Sequence, residues 1–163
     1  MFWLKSGLFA VGLGMSFVYA IIPPLARDLG LSEIQASFIF SLSAVAWAMT
    51  SAPWGRASDK YGRRNIAILG YIGYSISMII LILPIYLADK NILSAAFVFP
   101  LLILGRTIYG LLGSATRPAS FAYIADITPK NKRTKKFARF ESNFLLGTLV
   151  GPLLGGYLYL ISA

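Results

Sequence analysis

The chain contains no cysteine and no histidine. Without cysteine there is no disulfide framework and no thiolate metal site. Without histidine it lacks the commonest metal ligand and the side chain that ordinarily titrates near neutral pH. Charge is also scarce: 13% of the 163 residues are charged and 57% are hydrophobic, with a mean hydropathy of +0.70. A soluble domain of this length carries about a quarter charged residues. Acids are fewer than bases, 6 against 15, for a net charge of +9. So basic a chain invites a nucleic-acid reading. The distribution argues against it, because the bases gather in two short segments between apolar runs, where the positive-inside rule puts them. An enzyme is not expected either. There is no nucleophile–base pair and no metal-ligand set, and Gly55–Gly62 is too poor in glycine for a phosphate-binding loop.

What the sequence has is a series of charge-free runs. They are Ser6–Ala26, Gln35–Gly55, Asn65–Ala88, Asn91–Ala125 (broken by Arg106 and Arg117) and Ser142–Ala163. About 20 apolar residues cover the ~30 Å hydrocarbon core of a bilayer. The runs therefore predict an all-α membrane protein with five transmembrane helices, at 6–26, 34–55, 65–87, 94–125 and 138–161. The first run, with Lys5, Leu8–Val18 and Val18-Tyr19-Ala20, also resembles a signal peptide. Pro23 and Pro24 at the end of the run, and the spans that follow, favour a retained helix. Ser32, ahead of Glu33 and Ile34, reads as the start of the second helix, with Leu25–Leu31 as the turn before it. Thr128-Pro129 closes the fourth.

The loops set an orientation. Arg27 meets Asp28 and Glu33 in the first, and Asp89 meets Lys90 in the third. The second holds Arg56, Lys60, Arg63 and Arg64. The fourth holds Lys130, Lys132, Arg133, Lys135 and Lys136, with Arg139 just beyond. Both basic loops fall on the side of Lys5, so the N-terminus is expected to be cytoplasmic. Trp3, Trp54, Tyr86, Tyr157 and Tyr159 fall near the expected interfaces, as an aromatic belt does.

Several residues do not suit lipid. Arg106 and Arg117 lie inside the fourth span, where charge is costly and usually functional. On a regular helix Arg106, Gly110, Gly113 and Arg117 share one narrow face, flanked by Tyr109 and Ser120. That face must line a cavity or meet a partner helix. Glu141 sits at a comparable depth in the fifth span and is expected to pair with Arg117. In the first span Gly12, Ser16, Tyr19 and Pro23 form a stripe, either a cavity wall or a packing face. Gly147, Gly151 and Gly155 form a flat strip for close helix approach, and Pro152 removes the hydrogen bond to the Thr148 carbonyl. Gly55 and Gly62 are expected to bracket a tight charged turn.

The run Gly55-x-x-x-Asp59-x-x-Gly62-Arg63-Arg64, placed between spans two and three, resembles the hallmark loop motif of the major facilitator superfamily. One departure is Ala57, where the family usually has leucine. The resemblance implies that Asp59 and Arg63 belong to a charge cluster that latches the two transporter halves in the outward-facing state. Asp126 and Arg133 stand at the places of further members. Gly105-Arg106-x-x-x-Gly110, with Ala122-Tyr123-Ile124-Ala125-Asp126 after it, is similar to the fourth helix of drug/proton antiporters, including tetracycline and multidrug exporters. There the arginine matching Arg106 takes part in proton coupling. Gly147-x-x-x-Gly151-Pro152-x-x-Gly155-Gly156 resembles the fifth-helix motif associated with exporters.

The resemblance covers essentially the whole chain. It implies most of the N-terminal six-helix half of a twelve-helix fold. Five spans stop one short of that half, so the chain reads as an N-terminal fragment that would not transport alone. The implied function is proton-coupled efflux of drug-like or amphipathic small molecules. It needs no cofactor, only a proton gradient. Its partners would be the lipid bilayer, a small-molecule substrate and the missing second half, not nucleic acid. Two cationic side chains against one acid make the visible half-cavity basic, which suits an anionic, zwitterionic or neutral amphipathic substrate. The alternatives are an importer of a metabolite or sugar, and a truncated membrane protein or scaffold that transports nothing.

Overall fold

The computed structural model describes residues 2–28, 30–90 and 93–162. Six helices follow one another: α1 (Phe2–Asp28), α2 (Glu33–Tyr61), α3 (Arg63–Asp89), α4 (Ala95–Leu112), α5 (Thr116–Asp126) and α6 (Arg133–Ser162). No strand occurs among the described residues. Among the described residues four stretches are long and apolar enough to cross a membrane: Trp3–Asp28, Glu33–Tyr61, Arg63–Ala88 and Phe97–Asp126. The fifth expected span falls within α6, where side chains after Tyr157 lie outside the described residues. Asn91 lies outside them too, as do the side chains of Asp89 and Tyr159.

The helices outrun the apolar runs that announce them. The run Gly55–Tyr61, expected as a charged turn, is the last two turns of α2, so Arg56, Asp59 and Lys60 are helical. The turn is confined to Gly62, whose φ of 95° is the left-handed geometry that glycine adopts without a Cβ clash. Arg133, Lys135, Lys136 and Arg139, expected in or beside a loop, lie on α6. Pro23 and Pro24 do not end α1, which continues to Asp28. The pair removes two hydrogen bonds and crowds the carbonyls four residues back, which can bend a helix without ending it. Gly30, with φ 72°, makes the turn instead, its amide donating to the Arg27 carbonyl at 2.9 Å. At Ser32 the chain enters α2 through a reciprocal cap. The Gln35 amide donates to Ser32 Oγ at 3.2 Å, and the Ser32 amide to Gln35 Oε1 at 2.9 Å.

The expected fourth span is not one regular helix. A 3-10 turn, Gly113–Ala115, separates α4 from α5. Pro118 supplies the reason. It has no amide for the Ser114 carbonyl four residues back, and its ring crowds that carbonyl. The chain tightens, and the Thr116 amide donates to Gly113, three residues back. Each 3-10 residue turns about 120° rather than 100°, so Arg106 and Arg117 lose the common face that a regular helix would give them.

The chain divides into two compact units, Met1–Gly30 with Ile124–Ala163, and Leu31–Tyr123. In the first unit α1 and α6 run parallel. Gly147 lies against Phe9, Gly151 against Leu13 and Phe17, and Gly155 against Ala20 and Ile21. A Cβ on Gly147 would run into the Phe9 carbonyl, and one on Gly151 into Ser16 Oγ. The backbones can approach this closely because no side chain stands between them. Leu4, Leu8, Val11, Val18 and Ile22 make the buried stripe of α1.

In the second unit α2 runs parallel to α4 and α5, with Ser43 and Ala46 against Gly110 and Gly55 beside Pro118. α3 runs antiparallel to them, since Gly70 meets Thr116 and Gly105 meets Leu81. Even-numbered spans therefore share one direction in this unit, and the odd one opposes them. The alternation of crossings is thus built into the packing. Ile68, Ile72, Ile76, Ile79 and Leu83 are exposed along one face of α3, as suits a lipid-facing surface.

Candidate functional site

Arg106 is the largest fully buried side chain among the described residues, at 1% exposure. Its guanidinium carbon lies 5.2 Å from the ring centre of Phe40 on α2 and 5.0 Å from that of Tyr109 on α4. Both are within cation–π range. Tyr109 is held in turn. Its ring lies 5.3 Å from Trp47 of α2, tilted by 34°, and 6.0 Å from Tyr74 of α3, edge to face at 68°. Two helices thus put a ring over one cation, and α2 and α3 brace one of those rings. An arginine at the centre of a membrane helix costs about 2.5–3.5 kcal/mol on insertion scales. A desolvated cation–π contact returns about 2 kcal/mol. Two such rings therefore offset much of the cost of placing the cation here.

The expected stripe continues differently. At Gly110 the face meets a partner helix, with Ser43 and Ala46 of α2 against it. The room beside Gly113 is taken by the Tyr109 ring. Arg117 is half-buried in the first turn of α5. Ser120 is fully buried, beside the Tyr71 side chain of α3.

Directly below Arg106, α2 lends side chains to the break in the fourth span. Thr50 Oγ1 lies 3.0 Å from the Gly110 carbonyl and 2.8 Å from Ser114 Oγ. Trp54 donates its indole N–H to the Leu111 carbonyl at 2.6 Å. Carbonyls shifted by the 3-10 turn are thereby satisfied from a neighbouring helix, which matters where no water competes.

The loop motif forms its own network. Asp59 and Arg63 are ion-paired across Gly62. Arg63 also donates to Ser58 Oγ at 3.0 Å, and Ser58 donates to the Gly55 carbonyl at 2.7 Å. Ser58 is 1% exposed, whereas Arg64 is exposed. In the other unit, Arg133 opens α6 and its Nε donates to the Thr128 carbonyl at 3.1 Å. Asp126 ends α5 and is exposed, and Glu141 is half-buried on α6.

The exporter-type motif divides by exposure. Gly147, Gly151 and Gly155 are buried against α1, while Pro152 and Gly156 are exposed. Ser16 faces Gly151, and its hydroxyl donates back into α1, 2.9 Å from the Gly12 carbonyl. Tyr19 is 45% exposed.

Sequence reading missed Phe40, Trp47, Tyr74, Thr50, Ser58 and Ser114. A signal was present: Phe40, Ser43, Trp47, Thr50 and Trp54 recur every three or four residues along α2. In so apolar a segment that stripe looks like ordinary hydrophobicity until the facing helix is known.

The family model described as Major Facilitator Superfamily matches residues 6–162. Among curated proteins, the chain is 34% identical over 148 residues to the tetracycline resistance protein, class B, of Escherichia coli, covering 89% of this chain and 34% of that protein. It is 26% identical over 161 residues to the quinolone resistance protein NorA of Staphylococcus aureus, covering 99% of this chain and 38% of that one. The chain thus spans about a third of the length of the curated relatives it matches. An all-helical chain with membrane-spanning helices, matched by this family over nearly its whole length, is a multi-pass bacterial membrane protein and not an enzyme, and it belongs to the Major Facilitator Superfamily of transporters.

Proposed function

We propose that this chain supplies most of the N-terminal half of a secondary-active exporter that couples proton entry to efflux of drug-like or amphipathic molecules. Arg106 carries the proposal, because a buried cation braced by aromatic rings inside a span is costly to keep unless it works. The resistance relatives support export as the direction. In this reading the N-terminus is cytoplasmic and the protein resides in the inner membrane, as the basic segments at Arg56–Arg64 and Lys130–Arg139 suggest. Asp59, Arg63, Arg64, Asp126 and Arg133 serve the cytoplasmic latch, and Arg117 pairs with Glu141. Arg106 and Arg117 favour anionic, zwitterionic or neutral amphipathic cargo. Alternating access requires a second helical half facing this one.

The test is expression of the complete reading frame in a drug-sensitive host lacking its own exporters. Acquired resistance that an uncoupler abolishes is the expected result. Arg106→Ala should remove it, and Arg106→Lys should lower transport about tenfold, since lysine keeps the charge but not the planar stacking group. Resistance untouched by the uncoupler, or by both substitutions, would sink the proposal.

A further inference from the structure

We propose that Phe40 and Tyr109 position the Arg106 guanidinium through their ring faces, and that Trp47 and Tyr74 do so by bracing Tyr109. The four are positioning residues for the arginine.

Tyr109 follows Arg106 by three residues on α4, so the arginine meets it within its own helix. A ring on the same helix moves with the arginine and cannot fix it relative to the rest of the unit. Phe40 can, because it comes from α2. Trp47, also on α2, and Tyr74, on α3, then restrict the Tyr109 ring from two further directions. Tyr74 and Tyr109 are buried. A ring face attracts the cation by its quadrupole and does not compete for the N–H donors, which lie in the guanidinium plane. Aromatic contacts can therefore fix where the charge sits while the plane keeps its hydrogen-bonding edge. An acid in the same place would fix the charge by engaging that edge.

The consequence for transport rests on the proposed role of Arg106 in coupling; the contact itself does not. The experiment separates the two. The complete reading frame is expressed with 4-fluorophenylalanine at position 40, and its ¹⁹F resonance is compared with that of the same protein carrying Arg106→Met. A displaced resonance is expected, and an unmoved one would overturn the proposal whether or not the protein transports. Proton-driven transport is then measured with mono-, di- and trifluorinated rings at position 40. These nearly keep the ring's size while draining its face of charge. Initial rates should fall stepwise, by about two- to thirtyfold in all. Phe40→Tyr should transport normally, and Phe40→Leu should match the trifluorinated ring. Equal rates across the series, with wild-type amounts of protein in the membrane, would mean that Phe40 only fills space. If the unsubstituted protein transports nothing, the efflux reading fails and the resonance still decides the contact.

Discussion

Thr50 of α2 reaches the break in the fourth span: its hydroxyl lies 3.0 Å from the Gly110 carbonyl and 2.8 Å from Ser114 Oγ. A hydroxyl has one proton to donate and can also accept, so Ser114 can donate to it while its own proton is shared between the Gly110 carbonyl and the Ala46 carbonyl of its own helix, 2.7 Å away. Thr50→Val keeps the shape and removes both interhelical bonds. Interhelical hydrogen bonds within membranes average about 0.6 kcal/mol and reach about 1.7. The expected loss of stability lies in that range, measured by denaturant titration in detergent micelles, with Thr50→Ser close to wild type.

Pro118 is assigned as the cause of the 3-10 turn that sets Ser114 facing Thr50. This chain has no cysteine, so Thr50→Cys and Ser114→Cys can be combined with no competing thiol within it. The pair should form a disulfide on mild oxidation. Adding Pro118→Ala restores an amide for the Ser114 carbonyl, straightens the segment and should sharply slow that cross-link. An unchanged rate would show that Pro118 does not set the turn.

Gly151 and Gly156 belong to one motif but meet different surroundings. A Cβ on Gly151 would lie 2.5 Å from the Leu13 carbonyl and closer still to Ser16 Oγ, whereas Gly156 has nothing within 4 Å. Gly151→Ala should destabilise the protein by about 1–3 kcal/mol through overpacking. Gly156→Ala should stay within about 0.5 kcal/mol of wild type. Thermal unfolding of the two variants side by side checks this, and equal losses would refute the assigned packing.

The Asp59–Arg63 pair is partly open to solvent, with Asp59 at 58% exposure and Arg63 at 28%. Such pairs contribute little to stability, about 0–1 kcal/mol. Asp59→Asn should therefore leave the unfolding midpoint nearly unchanged. If the pair belongs to a latch, the same substitution should still depress transport strongly. A variant with normal transport would remove the latch from the account.

Arg117 and Glu141 test the pairing expected from their depth in neighbouring spans. Arg117→Glu and Glu141→Arg should each lower expression in the membrane, and the double reversal should restore much of it, a coupling that double-mutant comparison isolates. Single reversals that accumulate normally would count against the pair.

Charge-free runs, basic segments and three motifs were enough to determine that the chain is all-helical and membrane-spanning, and which family it belongs to. These are one-dimensional properties. A bilayer admits few structures beyond helices, so run length translates directly into spans. Helix ends were less legible, because apolarity stops at the membrane surface while the helix runs on until a cap such as Gly62 ends it. The surroundings of Arg106 needed the tertiary structure. Phe40 and Trp47 stand 66 and 59 positions before it in sequence and look like ordinary apolar residues of α2. Only the parallel packing of α2 on α4, together with Tyr74 from α3, turns them into the walls of a charged site. The same holds for Thr50 and Ser114. A hydroxyl's role depends on which carbonyl lies 3 Å away, and that distance is fixed by the packing of two helices far apart in the chain.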